Sequence, residues 1–327
     1  MISYPAMPPA EIVPTNGIDM TVFTAGPEDG FPIVLCHGWP ELAFSWRYQI
    51  PALAAAGYRV IAPNQRGYDG SQGPKAIEDY DIFHLTGDIV GLLDHYGHER
   101  AVIVGHDWGG IMSWQMCLLH ASRVAGHIAL NTPFIPRLRD DPIKLFRQAF
   151  GDEMYIVQMQ DYGVVDKLLD ANVERLFRYF MRRSTVDRKT FDERPSEKRN
   201  MNLFHAIQVG DDEAINSGDI FLSDEELKTF VDAFTRSGFT GGINWYRNFT
   251  RNWELTKDVK QHVDAPALMI MAARDVALPP AAAEGIEKYV PNVTKYLVED
   301  SGHWTQQEQP EEVNEVMIEW LSRRFWS

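Results

Sequence analysis

A chain of 327 residues, 45% hydrophobic and 24% charged, is long enough to bury a large core and is composed like an ordinary soluble globular protein. A net charge of −15 argues against nucleic acid or an anionic membrane as its main partner. No stretch reaches the roughly 18–20 uncharged apolar residues that a membrane span needs. The opening MISYPAMPPAEIVPTNG has no basic start and no long apolar run, so no signal peptide is expected.

Taken in chain order, the apolar runs FPIVLC (31–36), YRVIAP (58–63), AVIVG (101–105), VAGHIAL (124–130), APALMIM (265–271) and a last one at 294–298 predict strands. Their hydrophobicity is continuous, as in parallel strands covered on both faces. Helical stretches at 42–56, 84–97 and 107–120 alternate with the first four. That alternation predicts an α/β protein with a mostly parallel, doubly wound sheet. From 135 to 246 the strand pattern stops, and charged, aromatic, helix-periodic segments replace it. One of them, SDEELKTFVDAFTRSG, opens with Ser223 and has Glu226 three residues on, a capping-box pattern. Residues 135–246 are therefore expected to form a helical cap domain inserted into a core of 1–134 and 247–327. Cys36 and Cys117, the two cysteines, read as small buried hydrophobes, which makes a reduced, cytoplasmic location the expectation.

The most informative segment is AVIVGHDWGGIMSWQMCLLH. An apolar strand runs into Gly105-His106-Asp107-Trp108-Gly109 and a helix follows, a strand–turn–helix elbow with aspartate at the nucleophile position. The flanking glycines let strand and helix pass closely. The helix start brings backbone N–H groups and a positive dipole end to the carboxylate, favouring its ionised form. Asp107 could instead be a plain helix cap, since Asp is common there. The chemistry argues otherwise when other residues join it: a carboxylate can displace a leaving group at saturated carbon and leave an alkyl ester on the enzyme. That points to epoxides or alkyl halides rather than esters or amides.

Asp275 lies just after the strand at 265–271, and His303 lies in VEDSGHWTQQEQ after the last strand. The order nucleophile, acid, histidine is that of the α/β-hydrolase triad. His303 would take a proton from the hydrolytic water, and Asp275 would orient it. The loop His37-Gly38-Trp39-Pro40 follows another strand, so the backbone N–H groups of Trp39 and Trp108 are assigned to the oxyanion hole. His37 is expected to hydrogen-bond within its loop, and Pro40 is left open between cis and trans.

HGWP, NQRGYDGS (64–71), GHDWGG, NTPFIP (131–136), NWYRN (244–248) and SGHWTQ (301–306) together resemble the epoxide hydrolases of the α/β-hydrolase fold, the soluble type in particular, along nearly the whole chain. The resemblance implies a pair of cap tyrosines that protonate the epoxide oxygen. One precedes an Arg-Asn pair and matches Tyr246. The other lies in a Y-x-x-x-F-Q-x-P-G-like segment and matches Tyr155, although Met159 and Tyr162 stand where the pattern has Phe and Pro. Tyr162 competes with Tyr155, because seven residues are about two turns of a continuous helix and the two could share a face. The substrate-binding set expected is Trp39, Trp108, Tyr155 and Tyr246. From the architecture, neither an extra N-terminal phosphatase-like domain nor a membrane anchor of the microsomal type is expected.

No cofactor and no metal is expected: His84, His95 and His98 have no ligand spacing, and Gly109-Gly110 and Gly241-Gly242 make no phosphate fingerprint. Arg182-Arg183 reads as a solvated charge pair. The expected partner is a small epoxide, with no nucleic acid and no membrane, and the chain is a monomer or homodimer. Two rivals remain. A haloalkane dehalogenase of the same fold would share Asp107, Asp275 and His303 and use indole N–H groups for halide, against which Tyr246 speaks. A non-catalytic binding module on the scaffold should have lost one of these groups.

Overall fold

The computed structural model describes residues 2–184, 189–190, 193, 201–216 and 218–325. Its eight-stranded sheet has the order β1-β2-β4-β3-β5-β6-β7-β8. The six predicted runs are β3 (Pro32–Cys36), β4 (Arg59–Pro63), β5 (Ala101–His106), β6 (Val124–Leu130), β7 (Ala267–Ala272) and β8 (Val293–Val298), all paired in parallel. Every residue of β3, β5 and β6 is buried, which explains why their sequences do not alternate.

Two further strands precede them. β1 (Ala10–Thr15) and β2 (Ile18–Ala25) form an antiparallel hairpin that extends the sheet at one edge. Its two-residue loop is Asn16-Gly17, with φ of 43° and 80°. Asn-Gly is the pair that such a primed hairpin turn favours. Pro14 sits in β1, the outermost strand, where a missing N–H does not break an interior ladder.

The stretch predicted as one helix at 42–56 is a 3-10 turn (Ala43–Trp46) followed by α1 (Gln49–Ala55). α2 (Ile82–His95) starts at Asp81, whose carboxylate caps the His84 N–H, and α3 (Trp108–Leu119) follows the elbow. Cys36 and Cys117 are both free and buried.

Between β6 and β7 the described residues form helices and one isolated bridge, Arg182 to Ile220. They include α4 (Pro142–Phe150), α5 (Tyr155–Gln158), α6 (Val165–Asp170), α7 (Val173–Phe180), α8 (His205–Val209) and α9 (Asp212–Asn216). They continue with α10 (Asp224–Ser237), α11 (Thr240–Arg247) and α12 (Phe249–Leu255). The expected boundary at 246 falls inside α11, which packs on the core: a Cβ on Gly241 would stand 2.3 Å from the Gly67 carbonyl oxygen, and Trp245 donates to the Arg66 carbonyl.

α10 is fixed to the core at both ends. At its start, Ser223 and Glu226 form the predicted capping box, and Glu226 also accepts from Arg47 Nε at 2.6 Å and from the Tyr48 hydroxyl at 2.8 Å. At its end, Arg236 grips both oxygens of Asp69. Between these points Phe230 packs on Phe44 and Phe234 on Tyr68, with ring centroids 5.5 and 6.1 Å apart. Arg182 and Arg183 are not simply solvated: Arg182 Nε donates to the Arg178 carbonyl, and Arg183 Nη1 to the Glu308 carbonyl.

Candidate active site

The site lies at the carboxyl ends of the parallel strands, where open α/β sheets gather ligands. β5 ends at His106 and α3 begins at Trp108, so Asp107 alone makes the turn, with φ 50° and ψ −120°. A non-glycine residue in that region is strained and persists only where its surroundings enforce it. Gly109 shows the crowding that does so: a Cβ there would stand 2.0 Å from the Cys36 carbonyl oxygen. The Asp107 carbonyl is held by Ile111 N–H at 3.0 Å and by the Thr132 hydroxyl at 2.9 Å.

The two carboxylate oxygens of Asp107 have different surroundings. Oδ1 accepts the Trp39 N–H at 2.8 Å, and the Trp108 N–H also draws the carboxylate. Oδ2 faces His303 Nε2 at 3.7 Å, beyond a hydrogen bond. Burial pushes the Asp107 carboxyl above its ordinary range, against the pull of His303, His106 and the two backbone donors. The Asp107 side chain is still 16% exposed. Trp39 sits in the loop after β3, before a cis bond to Pro40. His37 stays within that region: Nδ1 faces the Gly38 carbonyl, and Nε2 accepts the Gln65 N–H.

Asp275 follows β7 and is buried. Its Oδ1 accepts the Ala277 and Leu278 N–H groups at 2.9 Å each, and Oδ2 accepts from Asn131 Nδ2 at 2.7 Å and His303 Nδ1 at 2.8 Å. Burial alone would raise this carboxyl, but His303 and these donors hold it down at about 2. With Asp275 ionised, His303 carries its proton on Nδ1 and turns Nε2 toward Asp107. Burial lowers His303, yet Asp275 foremost, then Asp107 and Glu41, outweigh it and raise the imidazole to about 9.

Behind this set lies a second one that sequence reasoning missed. Glu41 Oε2 stands 2.7 Å from His106 Nδ1, and His106 Nε2 stands 2.7 Å from the His303 carbonyl oxygen. Glu41 also accepts the Gly38 N–H at 2.9 Å and the amides of Gln306 and Gln307 at 3.0 and 3.1 Å. Burial pushes Glu41 up, but His106 foremost, with the Gly38 N–H, brings it down to about 2. His106 precedes Asp107 directly, and Glu41 directly follows the HGWP loop; only that adjacency hinted at them.

Tyr155 on α5 and Tyr246 on α11 come together, with ring centroids 6.0 Å apart. Tyr246 also packs edge-on against Trp108 at 5.1 Å and Trp39 at 5.6 Å. Burial first, and the Asp107 charge second, raise both phenols above their ordinary value, so both stay protonated donors. Tyr162 is elsewhere. α5 ends at Gln158, so no continuous helix carries residue 162 onto the face of 155. Tyr162 is 66% exposed, and its ring lies 4.9 Å from the Arg247 guanidinium.

Among the described residues no group of three or more His, Cys, Asp or Glu is placed to hold a metal ion, and His84 instead pairs with Asp81. No helix among them is long and apolar enough to cross a membrane.

The α/β-hydrolase fold family matches residues 32–310. The chain is 43% identical to Epoxide hydrolase A of Mycobacterium tuberculosis over 325 residues, covering 96% of this chain and 98% of that one. The chain belongs to the epoxide hydrolases of the α/β-hydrolase fold. The crystal structure of Epoxide Hydrolase A from Mycobacterium thermoresistibile superposes with a TM-score of 0.85 at 39% identity, over 96% of this chain and 98% of that one. Bifunctional epoxide hydrolase 2 of Mus musculus is 40% identical over 89% of this chain, which spans 52% of the mouse protein.

Proposed function

We propose that this protein converts epoxides and water to vicinal diols through an ester on Asp107. The observation that carries this reading is the division of labour at one carboxylate: Oδ1 accepts the Trp39 N–H, while Oδ2 faces His303. Two phenols, Tyr155 and Tyr246, lie with ring centroids 6.0 Å apart, and burial together with the Asp107 charge keeps both protonated.

In the first step Asp107 Oδ2 bonds to a ring carbon, the ring C–O bond breaks, and the oxygen takes a proton from Tyr155 or Tyr246. In the second, water adds to the carbonyl carbon of Asp107 and gives a proton to His303 Nε2, oriented by Asp275. The oxyanion forms on Oδ1 among the N–H groups of Trp39 and Trp108, whose fixed dipoles need no reorganisation. Collapse expels the diol oxygen, which takes the proton from His303. The remaining water proton returns from the new carboxyl to the tyrosinate. Esterification also neutralises Asp107, one of the charges that raise His303, so the base becomes more available when it is needed.

In this reading residues 135–246 act as a cap that supplies the phenols, shapes the pocket and limits water. The partner is a small epoxide, and the location is cytoplasmic. Diol formation from a panel of aryl and alkyl epoxides, with Asp107→Ala as control, tests it. Diol from the wild type alone supports the reaction and the nucleophile together. Halide release from alkyl halides with no diol from any epoxide would replace it with dehalogenation.

A further inference from the structure

Arg47 touches none of the groups assigned to the chemistry, yet its side chain is only 3% exposed. A guanidinium that far from water needs a carboxylate partner. That partner, Glu226, belongs to α10. Nη1 points the other way, donating to Gln307 Oε1 at 2.7 Å and to the Phe44 carbonyl at 3.3 Å, while the buried Nη2 has no hydrogen-bond partner among the described residues.

Arginine can only donate, so Gln307 must present its amide oxygen to Arg47 and its NH2 to Glu41. The direction of every later bond follows. Glu41 receives the Gln307 NH2 on Oε1, and on Oε2 it holds Gly38 N–H and His106 Nδ1. His106 then holds the His303 carbonyl through Nε2. Remove the Arg47 donor and the Gln307 amide is free to turn its oxygen toward Glu41, which sets two acceptors against each other.

We propose that Arg47 is a positioning residue, transmitting the seating of α10 on the core to the backbone of His303 through Gln307, Glu41 and His106. The proposal rests on the two-step reading above and assigns Arg47 to the second step, because the chain of bonds ends on the base and not on the phenols.

Single-turnover kinetics separate the steps, with intact-mass spectrometry following the ester. Arg47→Met should slow ester hydrolysis about tenfold while ester formation stays within about twofold of wild type. Arg47→Lys, which keeps the charge and a donor, should recover most of the loss. A folded Arg47→Met that leaves both steps unchanged, or slows them equally, overturns the proposal. If Arg47→Met does not fold, Gln307→Leu is read in the same way: selective loss of hydrolysis supports the proposal, and any other pattern overturns it. A wild type that turns over epoxide without any ester overturns the functional reading itself, and this proposal with it. A wild type that forms ester upholds the functional reading, and the variants then decide the role of Arg47 alone.

Discussion

Glu41 and His106 form a fully buried pair in which both ring nitrogens of the histidine face acceptors, one a carboxylate and one the His303 carbonyl. The His303 carbonyl can only accept, so His106 Nε2 carries hydrogen, while Glu41 holds the ring through Nδ1. Replacing Glu41 with Leu removes the acceptor of His106 Nδ1, of the Gly38 N–H and of the Gln306 and Gln307 amides. Leaving a buried donor without its acceptor costs about 1–3 kcal/mol. Urea unfolding of Glu41→Leu should show a loss of at least that size, and a stability within experimental error of wild type would mean that Glu41 does not hold this network.

His303→Gln removes the base and leaves the nucleophile. The mutant should form the ester and stall, so intact mass under saturating epoxide should rise by one substrate mass. A mutant that turns over while staying unmodified would remove His303 from the second step.

The two candidate tyrosines make opposite predictions. Tyr155 is raised by burial and by the Asp107 charge, whereas Tyr162 is exposed and lies over Arg247. Tyr155→Phe should slow ester formation by about 10²–10⁴, the usual contribution of a positioned acid. Tyr162→Phe should stay near wild type. The reverse ranking in rapid-mixing fluorescence would transfer the role.

His303, raised to about 9, ties stability to pH in a definite direction. A raised histidine contributes in full below its ordinary 6.5, and the contribution is lost as pH climbs through about 9. Asp275, lowered to about 2, works the other way: its share is present above its ordinary 3.8 and fades as pH falls through about 2. Denaturant unfolding across pH 6.5–9 should therefore show a fall in stability that His303→Gln flattens.

Gly241→Ala would set a methyl 2.3 Å from the Gly67 carbonyl oxygen, a backbone atom with no flexible side chain to yield. Overpacking of this kind costs about 1–3 kcal/mol. Because Tyr246 rides on the same helix, the variant should also lose ring-opening rate, whereas a Tm drop with normal kinetics would place the adjustment away from α11.

The parallel strands are legible because full burial writes itself as unbroken apolar runs, and all six lie within two residues of their expected bounds. The hairpin is harder to see although Asn16-Gly17 marks it, because β1 and β2 mix polar with apolar residues and β1 contains Pro14. Asp107, Asp275 and His303 stand out because each follows a strand in the chain order of the triad, and Asp107 and His303 also lie in motifs. Glu41, His106, Gln306 and Gln307 do not: they meet across 65 to 266 residues of chain, and no local pattern encodes a network assembled by the fold. The separation of Tyr155 from Tyr162 depends on a four-residue helix ending at Gln158. Gly163, with φ 75°, is the local sign that the chain turns there.

The double anchoring of α10 carries a mechanical consequence. A helix with an ion pair at each end and two phenylalanines wedged into the core behaves as a fixed wall, and a wall cannot also be the door. Any widening that admits a bulky substituent to Asp107 falls to the shorter helices α4 to α9. Engineering that seeks broader entry belongs in those helices, and engineering that seeks heat resistance belongs at the two ends of α10.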